Sequence, residues 1–217
     1  MKNIDTVIFD MDGTVLDTLE DIADSVNYVM RTYGFPEHSI EAIRSFIGNG
    51  MRKIIERSLP AGSSEELCDE AVERYRSYYH DHNMIKTRPY DGIMELLKKL
   101  SQAGIKTAIV TNKNVDAAEK IYRQLFSEYV PVCYGQQDDI PKKPHRAMID
   151  LAIADLGSRS ENSVYVGDSE VDMQTAANAG IPCITCLWGF RDRDFLEAQG
   201  ADILVSKPEE ILELILG

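Results

Sequence analysis

The sequence predicts an α/β fold: a parallel sheet flanked by helices, with an all-helical insertion after the first strand. Three observations carry this. From residue 105 onward, short apolar runs alternate with amphipathic stretches, the pattern of successive βα units. Several of those runs end in Asp, Thr or Gly-Asp, at the place where open parallel sheets bind ligands. Between residues 18 and 84 the strand pattern stops and helical spacing replaces it.

Val7-Ile8-Phe9 reads as the first strand and leads into Asp10-Met11-Asp12-Gly13-Thr14. In an extended chain residues i and i+2 face one side, so Asp10 and Asp12 are expected to share a crevice. Two close carboxylates repel each other. A hard divalent cation reconciles them, as does a division into one ionised nucleophile and one protonated acid. Taken by itself the segment also fits an ordinary acidic turn.

In the insertion, Leu19, Ile22, Ala23, Val26, Val29, Met30 and Tyr33 follow helical spacing, and Gly34 ends the run. Residues 40–47 and 51–59 form shorter helical stretches around Gly48-Asn49-Gly50, and Leu67, Ala71, Tyr75, Tyr78 and Tyr79 mark a longer helix. The α/β pattern resumes at Pro89-Tyr90-Asp91-Gly92 with a helix over 93–100. The expected division is a core of residues 1–17 and 88–217 and a helical cap of residues 18–87. Two linkers join them, as suits a cap that closes over the strand ends.

Further strands are expected over 105–110, 130–134, 163–166, 182–187 and 202–205. Helices are expected over 116–126, 144–156, 171–179 and 208–216, with another containing 195–199. Pro144 near a helix start and Gly157, Gly180 and Gly200 after helix ends are the usual boundary residues.

The chain of 217 residues, 44% hydrophobic, is long and apolar enough to bury a full core. Its formal net charge of -13 argues against nucleic acid and anionic membranes as partners, since both need clustered Lys and Arg. An anionic substrate is then repelled at long range and needs local lysines, backbone N–H groups or a metal. No apolar run approaches membrane-spanning length, and the N-terminal residues read directly as a strand rather than a signal peptide, so a cytoplasmic protein is expected. Four cysteines, Cys68, Cys133, Cys183 and Cys186, form no disulfide framework. Cys183 and Cys186 are spaced C-x-x-C, but on a strand they face opposite sides and read as core thiols.

Four polar stations remain at strand ends: Asp10 with Asp12; Thr111 in Val110-Thr111-Asn112-Lys113; Lys143 in Pro141-Lys142-Lys143-Pro144; and Asp168 with Asp172 in Gly167-Asp168-Ser169-Glu170-Val171-Asp172. Singly, each fits a cap, a turn or a solvated lysine. In this order on an alternating pattern, they resemble the four motifs of the haloacid dehalogenase superfamily, and the resemblance covers essentially the whole chain. It implies a Rossmann-like core in which Asp10 is the nucleophile and Asp12 the general acid/base. Thr111 would bind the phosphoryl group, Lys143 would neutralise charge, and Asp168 would bind metal with Asp172 supporting it. The implied cofactor is Mg²⁺, held by Asp10, Asp168 and the Asp12 main-chain carbonyl. The physics of phosphoryl transfer agrees: it needs an in-line oxygen nucleophile, charge neutralisation and a proton for the leaving group.

Asp12 favours phosphate chemistry over dehalogenation, because a halide leaves without a proton. Val110-Thr111-Asn112-Lys113 and Phe46-Ile47-Gly48-Asn49-Gly50 look more like the phosphoglycolate-phosphatase branch than the β-phosphoglucomutase type. That resemblance makes 2-phosphoglycolate the leading substrate and places Thr111, Asn112, Gly48, Asn49, Gly50 and Arg52 as substrate-binding residues. Arg52 and Lys53 would meet a substrate carboxylate, or else face solvent on a short helix. A phosphohexomutase and a non-catalytic phosphate-binding protein are the alternatives. His145-Arg146 stand where many relatives have a second Pro after Lys-Pro, and Trp188-Gly189-Phe190-Arg191 reads as an aromatic turn or as a wall of the site. The expected partner is a small phosphorylated metabolite; the sequence does not disclose an oligomeric state.

Overall fold

A computed structural model describes residues 3–217. The chain divides into two compact units, one formed by the chain up to Leu16 together with Pro89–Gly217, the other by Asp17–Arg88.

The first unit is built on a six-stranded sheet. In chain order its strands are β1 (Thr6–Phe9), β4 (Lys106–Asn114), β5 (Val132–Gln136), β6 (Ser163–Gly167), β7 (Cys183–Cys186) and β8 (Leu204–Val205). Two short strands, β2 (Leu16–Asp17) and β3 (Arg88–Pro89), pair separately where the chain passes between the units. The large sheet has the order β5-β4-β1-β6-β7-β8, and its pairings are parallel. β1 sits between β4 and β6, so successive connections run in opposite directions on its two sides. That is the switch point at which a parallel sheet opens a crevice at its carboxyl edge.

The strands read as apolar runs because both sheet faces are covered. Val7, Ile8, Phe9, Val164, Tyr165 and Val166 are fully buried. Ile8, Val110 and Tyr165 pack with Met148, Ile149 and Ala152 from helix α7 (Ala147–Asp155) and with Ala176 from helix α8 (Glu170–Ala179). The other helices of this unit are α5 (Ile93–Gln102), α6 (Val115–Leu125), α9 (Arg193–Ala198) and α10 (Pro208–Leu216).

The second unit holds α1 (Leu19–Thr32), α2 (Ile40–Phe46), α3 (Met51–Ser58) and α4 (Glu65–His82). Ser39 and Ser64 accept backbone N–H bonds at the starts of α2 and α4. Asp21, buried on α1, accepts the N–H groups of Ile85, Lys86 and Thr87 and so ties α1 to the segment after α4. Among the described residues no helix is long and apolar enough to cross a membrane.

Three local expectations are corrected. Extended structure ends at Phe9, and Thr14, Val15 and Leu16 then turn back to donate to the Met11 carbonyl. Asp12 therefore lies in a turn, and strand alternation does not relate it to Asp10. β4 does not stop at Val110 but continues to Asn114, with a register irregularity between those residues. The helix expected from residue 144 starts at Ala147; Lys143–Pro144 is a cis peptide, and His145 N–H turns back to the Lys142 carbonyl first.

Candidate active site

The carboxyl ends of β1, β4 and β6 bring together most of the stations singled out above. Asp10 follows β1 directly, and its main-chain N–H donates to the Val166 carbonyl of β6 (2.9 Å). Gly167 ends β6 and delivers Asp168. One carboxylate oxygen from each of Asp10, Asp168 and Asp172 lies within 4.8 Å of the others, all three residues buried.

These carboxylates are held differently. Asp172 Oδ2 accepts the main-chain N–H groups of Asp168 (3.2 Å) and Ser169 (3.1 Å) and the Ser169 hydroxyl (2.6 Å). Its Oδ1 accepts from Lys143 Nζ (2.7 Å) and the Tyr165 hydroxyl (3.3 Å). Both oxygens are thus engaged by the protein. Asp168 takes the Phe190 N–H at 2.7 Å and the Thr14 hydroxyl at 3.3 Å. Asp10 Oδ1 lies 2.8 Å from Lys143 Nζ, an ion pair whose alignment leaves that buried oxygen without a good hydrogen bond.

Burial pushes the Asp10 carboxyl up to about 7, the Asp172 charge adds to the rise, and Lys143 opposes it. Asp168 is raised well above the usual carboxylate range by burial and then by Asp172 and Asp10. Burial works against the Lys143 ammonium, but Asp10 and Asp172 outweigh it and keep it protonated. A crowd of oxygen donors that resist carrying negative charge together fits a small hard cation. Asp10 and Asp168 are the members with capacity left; Asp172 anchors Lys143 and the start of α8.

Lys143 is positioned at both ends. Its ammonium also donates to the Tyr165 hydroxyl (3.0 Å). Asn112 brackets its main chain, accepting the Lys143 N–H at Oδ1 (2.8 Å) and donating from Nδ2 to the Lys143 carbonyl (3.1 Å). Asn112, expected to contact substrate, thus also places the main chain of Lys143. Thr111 is buried beside it, and its hydroxyl accepts the Lys113 N–H at 3.1 Å. Asp12 pairs with Lys113, Nζ to Oδ1 2.7 Å, rather than with the Asp10 cluster.

Gly48, Asn49 and Gly50 lie in the loop between α2 and α3 of the second unit; Gly48 and Gly50 have φ of 123° and 86°, the left-handed side that glycine tolerates. Arg52, expected to be available to a substrate carboxylate, instead directs Nε to Glu56 (3.0 Å), one Nη to Glu65 (2.8 Å) and the other to Asp69 (2.5 Å). The first two turns of α4 and the i+4 neighbour on α3 converge on it. His145 is exposed and accepts the Ala147 N–H at the start of α7. Cys183 is half-buried and Cys186 buried, and desolvation pushes the Cys183 thiol up to about 12.

Lys113 and Tyr165 were not singled out as site residues from the sequence, and Gly189 entered only as part of the aromatic turn. A Cβ on Gly189 would stand 2.3 Å from Asp168 Cβ and 2.4 Å from the Gly13 carbonyl oxygen, so only glycine lets this segment close on Asp168. The aromatic turn after β7 braces the site: Trp188 Nε1 donates to the Thr14 carbonyl (2.9 Å), and Phe190 N–H holds Asp168.

Comparison with known proteins agrees with this geometry. Residues 7–186 match the family described as haloacid dehalogenase-like hydrolase. A phosphoglycolate phosphatase of Xanthomonas campestris pv. campestris is 33% identical, covering 95% of this chain and 94% of that protein. An N-acetylmuramic acid 6-phosphate phosphatase of Pseudomonas aeruginosa is 30% identical over 96% of this chain and 93% of its own length. A crystal structure from Lactobacillus delbrueckii subsp. bulgaricus, provisionally named a phosphoglycolate phosphatase, superposes with a TM-score of 0.93 at 33% identity over the full length of both chains. The chain belongs to the haloacid dehalogenase-like hydrolases and is a phosphatase of their phosphoglycolate phosphatase-like branch.

Proposed function

We propose that this phosphatase hydrolyses a small phosphomonoester, 2-phosphoglycolate in the first place, in the cytoplasm and with Mg²⁺ as its ion. The observation that carries the reading is the buried arrangement of Asp10, Asp168 and Asp172 around the Lys143 ammonium at the sheet's switch point. Asp10, Asp168 and the main-chain carbonyl of Asp12 would hold the ion. Bound there, it supplies positive charge that offsets the repulsion between carboxylates and a phosphate dianion.

Asp10 attacks phosphorus through a carboxylate oxygen; the new P–O bond makes an aspartyl-phosphate as the bond to the leaving oxygen breaks. Asp12 gives its proton to that oxygen, and the alcohol departs. Asp12 then takes a proton from water, whose oxygen attacks phosphorus, regenerating the Asp10 carboxylate and releasing inorganic phosphate. Lys143 holds a fixed positive charge beside Asp10 throughout, and Thr111 offers a hydroxyl to the phosphoryl oxygens. Gly48, Asn49 and Gly50, in a unit acting as a cap, would select the leaving group. The names of the two relatives support the substrate class, since both denote phosphate esters of carboxylic acids.

The test is phosphate release from 2-phosphoglycolate, N-acetylmuramic acid 6-phosphate, pyrophosphate, nucleoside monophosphates and β-glucose 1-phosphate, with Mg²⁺ and with EDTA, for the wild type and Asp10→Asn. Metal-dependent release that the variant abolishes is expected, fastest from 2-phosphoglycolate. Glucose 6-phosphate formed without phosphate release would make the protein a mutase. Inactivity toward the whole panel would make it a phosphate-binding protein.

A further inference from the structure

We propose that Lys113 is a positioning residue that fixes the Asp12 carboxylate for proton transfer, so that the site uses two lysines with separate tasks. This rests on the phosphoryl-transfer reading given above. The Lys113 side chain is 5% exposed, and its Nζ lies 2.7 Å from Asp12 Oδ1, an ion pair between residues 101 apart in the chain. Withdrawing an ammonium from water costs several kcal/mol unless a partner is held in good geometry. A lysine needed only for solubility would therefore point outward.

The irregular end of β4 explains how it comes to be there. Thr111, Asn112 and Lys113 continue a buried run that begins at Thr107, because both faces of β4 are covered, and the register irregularity between Val110 and Asn114 falls across them. Asn112 brackets the main chain of Lys143, and the next residue, Lys113, holds Asp12. One strand end thus places the cation beside the nucleophile and supplies the cation beside the acid/base. Lys143 pairs with Asp10 and Asp172, and Lys113 pairs with Asp12.

The geometry also suits donation in one direction. Lys113 engages Oδ1 of Asp12, while the Asp12 side chain keeps 16% of its surface open. A carboxyl gripped by one oxygen in a turn has one rotamer to present to an incoming leaving group. Without the grip, the residue after Met11 has only its turn to orient it, and misplacement of a proton donor by about 1 Å can cost on the order of 100-fold.

The experiment compares Lys113→Met with Asp12→Asn and the double variant. It uses kcat/KM for 2-phosphoglycolate, whose alkoxide needs a proton to leave, and for p-nitrophenyl phosphate, whose phenolate does not. General acid catalysis typically contributes roughly 100-fold or more. Lys113→Met should therefore lose at least about tenfold more on the alkyl than on the aryl ester. Asp12→Asn should show the same bias, and adding Lys113→Met to it should cost no more than about threefold further. Lys113→Arg, which keeps the charge, should recover part of the alkyl activity. Lys113→Gln carries the same expectation as Met should the Met variant not fold. Equal losses on both esters, or losses that multiply in the double variant, would overturn the assignment of Lys113 alone. Wild-type inactivity on both esters, or activity surviving Asp10→Asn, would remove the phosphoryl-transfer reading itself and this assignment with it.

Discussion

Replacing Asp10 by Asn changes how stability depends on pH, in a direction set by burial. The Asp10 carboxyl is raised from 3.8 to about 7 in the folded protein, chiefly by burial and then by the neighbouring Asp172. Between those values the folded state holds a proton that the unfolded chain has released. Stability contributed by the neutral carboxyl is therefore complete below about pH 4 and is lost as pH rises through about 7. At ~1.4 kcal/mol per pH unit the full span is worth roughly 4 kcal/mol. That is a ceiling, because the buried Asp168 carboxyl, itself raised, interacts with Asp10 and the two titrate as a cluster. Asparagine has the same shape and cannot ionise. In urea unfolding with EDTA, Asp10→Asn should gain on the wild type by up to about 4 kcal/mol between about pH 4 and about pH 8. Adding Mg²⁺ should flatten the wild-type curve above neutrality, since bound ion favours the ionised carboxylate. A difference between variant and wild type that stays constant across the window would refute the reasoning. A difference that shrinks as pH rises would show that Lys143 outweighs burial and Asp172.

Two further outcomes follow from the same site. Lys143→Met keeps the length of the buried side chain but leaves Asp172 and Asp10 facing each other without a counter-charge, so urea unfolding at neutral pH should show a loss of about 3–5 kcal/mol; a loss under about 1 kcal/mol would mean that the ion pairs are not formed. Gly189→Ala pushes a methyl group against Asp168 Cβ and the Gly13 carbonyl, so it should cost about 1–3 kcal/mol and weaken Mg²⁺ binding in calorimetry; unchanged metal affinity would show that this turn does not hold Asp168 in place.

The alternating pattern from residue 105 made the parallel sheet legible, because strands covered on both faces must be continuously apolar. The polar residues that end such runs, Asp10, Thr111 and Asp168, stand out for the same reason. The helical insertion was legible from its change of period. Lys143 was legible only through the family motif around it, since a lysine beside a proline has no pattern of its own. Local detail was harder. The helix expected from Pro144 begins at Ala147, because a turn through His145 comes first. Arg52 looked available for an anion until the first two turns of α4 brought Glu65 and Asp69 against it.

By itself, then, the sequence determined the order of the main elements, the fold and which strand ends carry polar residues, since these follow from local hydrophobic period and residue type. Tertiary structure decided who pairs with whom. Asp12 meets Lys113 across 101 residues, Asn112 brackets the main chain of Lys143, and Tyr165, which reads as a core aromatic, places its hydroxyl against the Lys143 ammonium. Gly189 matters because Asp168 and Gly13 leave no room for a side chain. Such contacts depend on distances between strand ends and on register shifts such as the one in β4, and no local pattern encodes either.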